Sequence, residues 1–133
     1  MKKKRLLDSY AMMAYLKKED GYRKVVELLT AEQEKNAVLM NEINVGECFY
    51  IIARARGMKE ADYFIEVVLP NLPVTIVENS FDDIIAASRI KAKYPMSYAD
   101  CFAVATAMRE KAAIVTGDPE FKEAAHMVEI IWV

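Results

Sequence analysis

The sequence predicts a three-layer α/β/α sandwich around a central parallel sheet of about five strands. Two observations carry this. Short runs rich in Val, Ile and Leu alternate with longer segments whose apolar residues recur every three to four positions. The short runs are also apolar at successive positions, as strands covered by helices on both faces must be. A chain of 133 residues suits one core and is short for two, so residues 1–133 are read as one domain.

The elements come in order. Arg5-Leu6-Leu7-Asp8 is a buried strand ending on an acid, and Ala11, Met12, Ala14, Tyr15 and Leu16 lie on the helix after it. A turn at Glu19-Asp20-Gly21 leads to a second helix with Val25, Val26, Leu28 and Leu29 as its apolar stripe. Ala37-Val38-Leu39-Met40 is the next strand. Asn44 then offers an N-cap for a long helix through Val45, Cys48, Phe49, Ile51 and Ile52, closed by Gly57. A further helix runs through Ala61, Phe64, Ile65 and Val68 to Pro70. Val74-Thr75-Ile76-Val77 is a strand, and a helix from Phe81 to Lys93 is broken by Pro95. Ser97 caps the next helix, which carries Phe102, Val104, Ala105 and Met108. Ala113-Ile114-Val115-Thr116 is a strand, Gly117-Asp118-Pro119 turns into a short helix, and Val128-Glu129-Ile130-Ile131 closes the sheet.

Composition narrows the function classes. With 54% hydrophobic and 29% charged residues, the chain reads as a globular protein. Eighteen basic against 20 acidic side chains leave a net charge of −2, which argues against holding nucleic acid by bulk positive charge. No apolar run is long enough for a bilayer. Asp8 cuts short the apolar stretch after the basic start, so no signal peptide is read. The expected location is the cytoplasm. Cys48 and Cys101 lack metal-ligand spacing and read as small buried apolar residues, and His126 as a surface residue.

Four acids stand out by position. In open α/β sheets, ligands bind beyond the carboxyl ends of the strands. Asp8 ends the first strand, Glu47 and Asp100 fall in the first turns of helices that come after strands, and Asp118 comes after the fourth strand. Each has a local explanation. Asn44 precedes Glu47 by three positions and Ser97 precedes Asp100 by three, as in capping boxes, while Asp118-Pro119 suits an N-cap. A parallel sheet, however, gathers all four at one rim. Carboxylates crowded there repel at about 4 kcal/mol per close pair in an intermediate dielectric. Helix N-termini offset about 1 kcal/mol each. Divalent cations would offset the rest, and an all-oxygen set suits Mg²⁺ or Mn²⁺.

Leu6-Leu7-Asp8-Ser9, Asn44-Val45-Gly46-Glu47-Cys48-Phe49-Tyr50, Ser97-Tyr98-Ala99-Asp100-Cys101-Phe102 and Val115-Thr116-Gly117-Asp118-Pro119-Glu120-Phe121 together resemble the PIN domains. The similarity is nearest to toxin nucleases of the VapC type, and it extends to the closing Val128–Val133 segment. No one motif is specific; four in order are. The resemblance implies an RNA-cleaving enzyme that uses Mg²⁺ or Mn²⁺, forms a homodimer and is neutralised by a cognate antitoxin protein. It implies Asp8, Glu47, Asp100 and Asp118 as metal-binding acids and Ser9 and Thr116 as supporting hydroxyls. Products would carry 5′-phosphate and 3′-hydroxyl ends. Glu42 competes with Glu47, because Glu42-Ile43-Asn44-Val45-Gly46 also resembles a family stretch; Glu42 is read as lying in the connecting loop.

The alternatives are a catalytically silent interaction module of the same fold, a phosphate-accepting receiver and a Rossmann nucleotide binder. A silent module need not keep all four acids. A receiver would want a Lys at the end of the last strand, where Trp132-Val133 stand, and no glycine-rich loop comes after the first strand. Lys2, Lys3, Lys4 and Arg5 precede the first strand, opposite the acids, and read as a solvated edge or partner contact. Arg54 and Arg56 complement a helix C-terminus. Core packing accounts for most of Tyr10, Met12, Met13, Tyr15, Phe49 and Tyr50, and those left exposed would serve a dimer or antitoxin surface.

Overall fold

The structure, a computed structural model, describes residues 3–31 and 34–133. Its strands are β1 (Arg5–Leu7), β2 (Val38–Asn41), β3 (Thr75–Val77), β4 (Ala113–Thr116) and β5 (Ile130–Trp132). They form one sheet in the order β3-β2-β1-β4-β5, with every pairing parallel. Leu6 is in register with Leu39 on one side and Ile114 on the other.

Side chains of a strand alternate between faces, and here that alternation separates two cores. Leu6, Leu39 and Ile114 pack beneath α5 (Phe81–Lys93) and α6 (Tyr98–Glu110), together with Phe102, Val104 and Phe121. Leu7, Val38, Met40 and Val115 face the opposite way. They meet α1 (Ser9–Lys17), α2 (Tyr22–Thr30), α3 (Glu42–Arg56) and the turn that follows α4 (Met58–Tyr63) through Met12, Val25, Cys48 and Phe64. The three-layer sandwich expected from the unbroken apolar runs is what the chain forms. β1, β2 and β4 are almost wholly buried and read as continuous apolar segments, whereas the edge strands β3 and β5 stay partly exposed.

Two local expectations need correction. Asn44 does not cap α3. The cap is Asn41, whose side chain accepts the Ile43 N–H at 2.9 Å, and the helix starts at Glu42 with no intervening loop. A cap must be non-helical, and the last residue of β2 already has extended geometry. Asn44 is instead buried within α3, its Nδ2 donating to the Ala99 carbonyl at 3.2 Å and so tying α3 to the start of α6. Glu47 consequently lies in the second turn and Glu42 in the first, not in a connecting loop. The helix read through Val68 is also not uniform: α4 passes into a π-helical turn at Phe64–Val68 and a 3-10 turn at Leu69–Asn71 around Pro70.

Other readings hold in outline. Gly57 closes α3 with φ 99°, and Cys48 and Cys101 are buried and free. His126 is exposed and pairs with the Tyr94 hydroxyl at 3.0 Å. Of the basic run, Lys2 lies outside the described residues. Lys3 and Lys4 make exposed ion pairs with Glu129 and Glu110, a solvated edge worth little to stability. Arg54 lies over the Tyr50 ring, 5.1 Å from its centroid.

Candidate active site

The strand order reverses on either side of β1. The chain builds outward from β1 through β2 to β3, then returns to add β4 and β5 on its other side. In open α/β sheets this switch point leaves a crevice beyond the strands' carboxyl ends. Asp8 directly succeeds β1, and Thr116 is the last residue of β4 with Asp118 two positions on. Topology therefore brings both acids to the mouth of one crevice.

Asp8 is held rigidly. Only 1% exposed, it accepts the Ala11 N–H at 2.8 Å through Oδ1 and the Thr116 hydroxyl at 2.6 Å through Oδ2. Thr116 in turn accepts the Asp118 N–H at 3.0 Å, so one hydroxyl orients both acids. Burial pushes the Asp8 carboxyl up to about 7, and the Asp118 and Glu47 charges add to the rise, against the lowering by its two hydrogen bonds. Ser9 begins α1 beside it, and its carbonyl faces Cys48 Sγ at 3.9 Å. Burial pushes the Cys48 thiol upward, and the Glu47 and Asp8 charges push it further, so it stays protonated.

Asp100 comes from the first turn of α6. Its N–H donates to Ser97 Oγ at 3.3 Å, but its carboxylate does not complete a capping box, because the Ser97 N–H donates to Glu120 Oε1 instead. A reciprocal box exists at Ser80 and Asp83, at the start of α5. Asp100 is 4% exposed, and burial pushes its carboxyl up to about 8, aided by a hydrogen bond with Glu120 and by the Glu120 and Asp8 charges. Asp118 caps the 3-10 turn Pro119–Ala124 by accepting the Glu120 N–H at 2.9 Å, and that turn carries Glu120 toward Asp100.

Asp100, Asp118 and Glu120 each offer a carboxylate oxygen, all within 4.8 Å of one another. Glu120 is the residue sequence reasoning missed, although it lies within the Val115–Phe121 segment that carries part of the family resemblance. Its signal was weak, since an acid at the second helical position reads as a dipole partner. The two glutamates of α3 part company. Glu47 lies close enough to Asp8 for its charge to act there, and among the described residues its buried Oε1 has no hydrogen-bond partner. Glu42 is exposed and committed elsewhere, accepting the Asn79 N–H at 2.6 Å and Asn79 Nδ2 at 3.2 Å.

These residues fit a hard divalent cation. The donors are all oxygen, two carboxyls are pushed far above their ordinary range, and one buried carboxylate oxygen lacks a donor among the described residues. An orphaned buried acceptor is costly unless something positive completes it.

The PIN-domain family model matches residues 5–127. The chain belongs to the PIN-domain family. No curated protein sequence is detectably similar to it. Among solved structures, this PIN domain is similar to VapC20 of Mycobacterium tuberculosis, described as a sarcin–ricin loop cleaving toxin. The TM-score is 0.76 at 16% identity, over 95% of this chain and 98% of that one. It is also similar to DNA-bound VapBC from Salmonella typhimurium, with TM-score 0.72 at 16% identity over 98% of each chain. FitAcB from Neisseria gonorrhoeae gives 0.71 at 20% identity over 96% of each. At such identities the likeness establishes the fold. Among the described residues, no helix is long and apolar enough to cross a membrane.

Proposed function

We propose that this PIN domain is a metal-dependent endoribonuclease and the toxin of a toxin–antitoxin pair. The observation that carries the reading is the convergence at the switch point of Asp100, Asp118 and Glu120, beside an Asp8 held by Thr116. Asp8, Glu47, Asp100 and Asp118 are the proposed metal-binding acids, with Glu120 added to them. Thr116 supports the site through its two hydrogen bonds, and Ser9 by starting the helix that Asp8 caps. The cation is Mg²⁺ or Mn²⁺, in keeping with the all-carboxylate set.

A bound divalent cation supplies charge neutralisation and Lewis-acid polarisation of the phosphodiester. The protein supplies position. Asp8 is fixed by two hydrogen bonds and cannot rotate away, whereas Asp100 is hydrogen-bonded to Glu120 and burial pushes its carboxyl up to about 8. Water attacks phosphorus, the bond to the 3′ oxygen breaks, and that oxygen takes a proton, leaving 3′-hydroxyl and 5′-phosphate ends.

The toxin assignment draws on the neighbours, one of which is described as a toxin and another as a toxin–antitoxin complex from Klebsiella pneumoniae. A cognate antitoxin, a homodimeric state and action in the cytoplasm belong to the same proposal. Exposed Ile43 and Tyr50 on α3 and Phe81 and Ile85 on α5 offer apolar area for association. The test is cleavage of RNA by the purified chain. Cleavage with Mg²⁺ or Mn²⁺ that EDTA abolishes supports the proposal, and cleavage indifferent to EDTA, or none with either metal, overturns it.

A further inference from the structure

We infer that Tyr10 is a stacking platform for a nucleobase flanking the scissile phosphodiester, an assignment that rests on the ribonuclease reading above. Tyr10 is the second residue of α1, two positions after Asp8 and next to the Ala11 N–H that Asp8 accepts. Its ring lies directly on Gly117. A Cβ placed on Gly117 would come within 2.3 Å of Tyr10 Cε1, 2.7 Å of Cζ and 3.0 Å of Cδ1. Gly117 is the peptide between Thr116, whose hydroxyl holds Asp8, and Asp118. The ring therefore touches the backbone between Thr116, which holds Asp8, and Asp118, with no side chain between them.

What glycine provides at position 117 is room. Gly21 and Gly57 have positive φ, at 90° and 99°, and their backbones call for glycine; Gly117 is not among the positive-φ residues. Any other residue there would displace the Tyr10 ring. The ring is nonetheless not a core residue. Ala11, Met12 and Ala14 supply the packing of α1, at 0%, 0% and 3% exposure, while Tyr10 stays 39% exposed. One side of the ring is pinned to the loop that carries Asp118, and the residue stays accessible to solvent two positions after Asp8.

A single-stranded RNA threaded past the acids presents unstacked bases next to the phosphate being cut. An aromatic surface binds such bases largely without regard to sequence, contributing on the order of 5- to 100-fold in affinity for each base. A neutral contact of this kind suits a chain of net charge −2, which cannot hold the strand by charge alone.

The test is steady-state cleavage of a short single-stranded RNA by the wild type, Tyr10→Phe, Tyr10→Leu and Tyr63→Ala. Tyr10→Phe keeps the aromatic surface and should stay within about twofold of wild type. Tyr10→Leu keeps apolar volume against Gly117 but loses the π surface, and should raise KM about tenfold with kcat within about threefold. Tyr63→Ala removes an exposed tyrosine of α4 and should change neither. A substrate with an abasic residue beside the cut should lose the same tenfold with the wild type and nothing more with Tyr10→Leu. An unchanged KM in Tyr10→Leu, or an abasic penalty equal in both proteins, overturns the platform while leaving the nuclease intact. A wild type that cleaves no RNA overturns both.

Discussion

Helices α3 and α6 both begin at the acid rim, and both offer a polar residue with an acid three positions later. They are built differently. α6 starts where Ser97 predicts, and its third residue, Asp100, enters the site. α3 starts ahead of Asn44, because Asn41 at the end of β2 takes the cap. That shift moves Glu42 into the first turn and Glu47 into the second. The acid that nears Asp8 is then the one whose carboxylate keeps a buried oxygen without a partner among the described residues, and the acid nearer the cap is spent on Asn79. The spacing of a cap and an acid thus marks a helix start without identifying which acid does chemistry. Where the carboxylate goes once the strand ends decides that.

The sharpest way to break this comparison is to neutralise each acid at constant shape. Asp100→Asn should lower kcat on the order of 10²–10³-fold, since it removes a charge from the centre of the site while keeping the Ser97 contact to its backbone N–H. Glu47→Gln should fall in the same range, and Glu42→Gln should stay within about threefold of wild type. Circular dichroism and melting should show all three folded. A Glu42→Gln that loses activity while Glu47→Gln keeps it would reverse the assignment on α3.

Next in size is the dependence of stability on pH. The carboxyls of Asp8 and Asp100 are raised from an ordinary 3.8 to about 7 and about 8. Between about pH 4 and pH 8 the folded, cation-free protein holds protons that the unfolded chain has released, so stability falls as pH rises through this window and levels off above it. Asp83, whose carboxyl the Ser80 backbone N–H holds below its ordinary value, acts in the opposite sense and below the window. Thermal melting in EDTA should therefore show a lower Tm at pH 8 than at pH 5. Mg²⁺ should raise Tm strongly at pH 8 and weakly at pH 5, where protons compete for the same oxygens. Asp100→Asn should flatten the slope on the α6 side of the rim. A Tm in EDTA that rises from pH 5 to pH 8 would contradict the raised carboxyls.

The same contrast separates the parts of the molecule that are legible in the sequence from those that are not. The layers were legible because burial on both faces leaves unbroken apolar runs at Leu6-Leu7, Val38-Leu39-Met40 and Ala113-Ile114-Val115, and their alternation with helical segments suits a covered parallel sheet. Asp8, Asp100 and Asp118 could be placed at one rim because each sits within three residues of a strand end or a clear cap. Strand order was not legible, since nothing in β1 or β4 alone states that they are neighbours, and so neither was the switch point between them. Glu120 was hidden for a similar reason. Its contacts to Ser97 and Asp100 join positions 20 and more residues apart, and in sequence it looks like any acid in a helix's first turn. Asn41 was hidden because it ends a strand, whereas caps are ordinarily sought in the loop that precedes a helix.

The smallest expected effect tests the caps themselves. Ser97→Ala removes one side-chain acceptor at an exposed helix start and should cost about 1 kcal/mol. Asn41→Ala should cost more, about 2–3 kcal/mol, because Asn41 does more than cap. It is fully buried, and its Nδ2 donates to Thr106 Oγ1 at 2.7 Å and Asn79 Oδ1 at 2.8 Å, while its Oδ1 accepts Asn79 Nδ2 at 3.0 Å as well as the Ile43 N–H. Truncation strands these groups between β2, α6 and the segment before α5. Asn44→Ala separates the two ideas of where α3 begins. As an interior residue, Asn44 contributes one bond to Ala99, and its loss should loosen α3 against α6 without fraying the helix start. Amide exchange at Ile43 should accelerate in Asn41→Ala and stay at the wild-type rate in Asn44→Ala. Acceleration in Asn44→Ala alone would return the cap to Asn44, and with it Glu47 to the first turn.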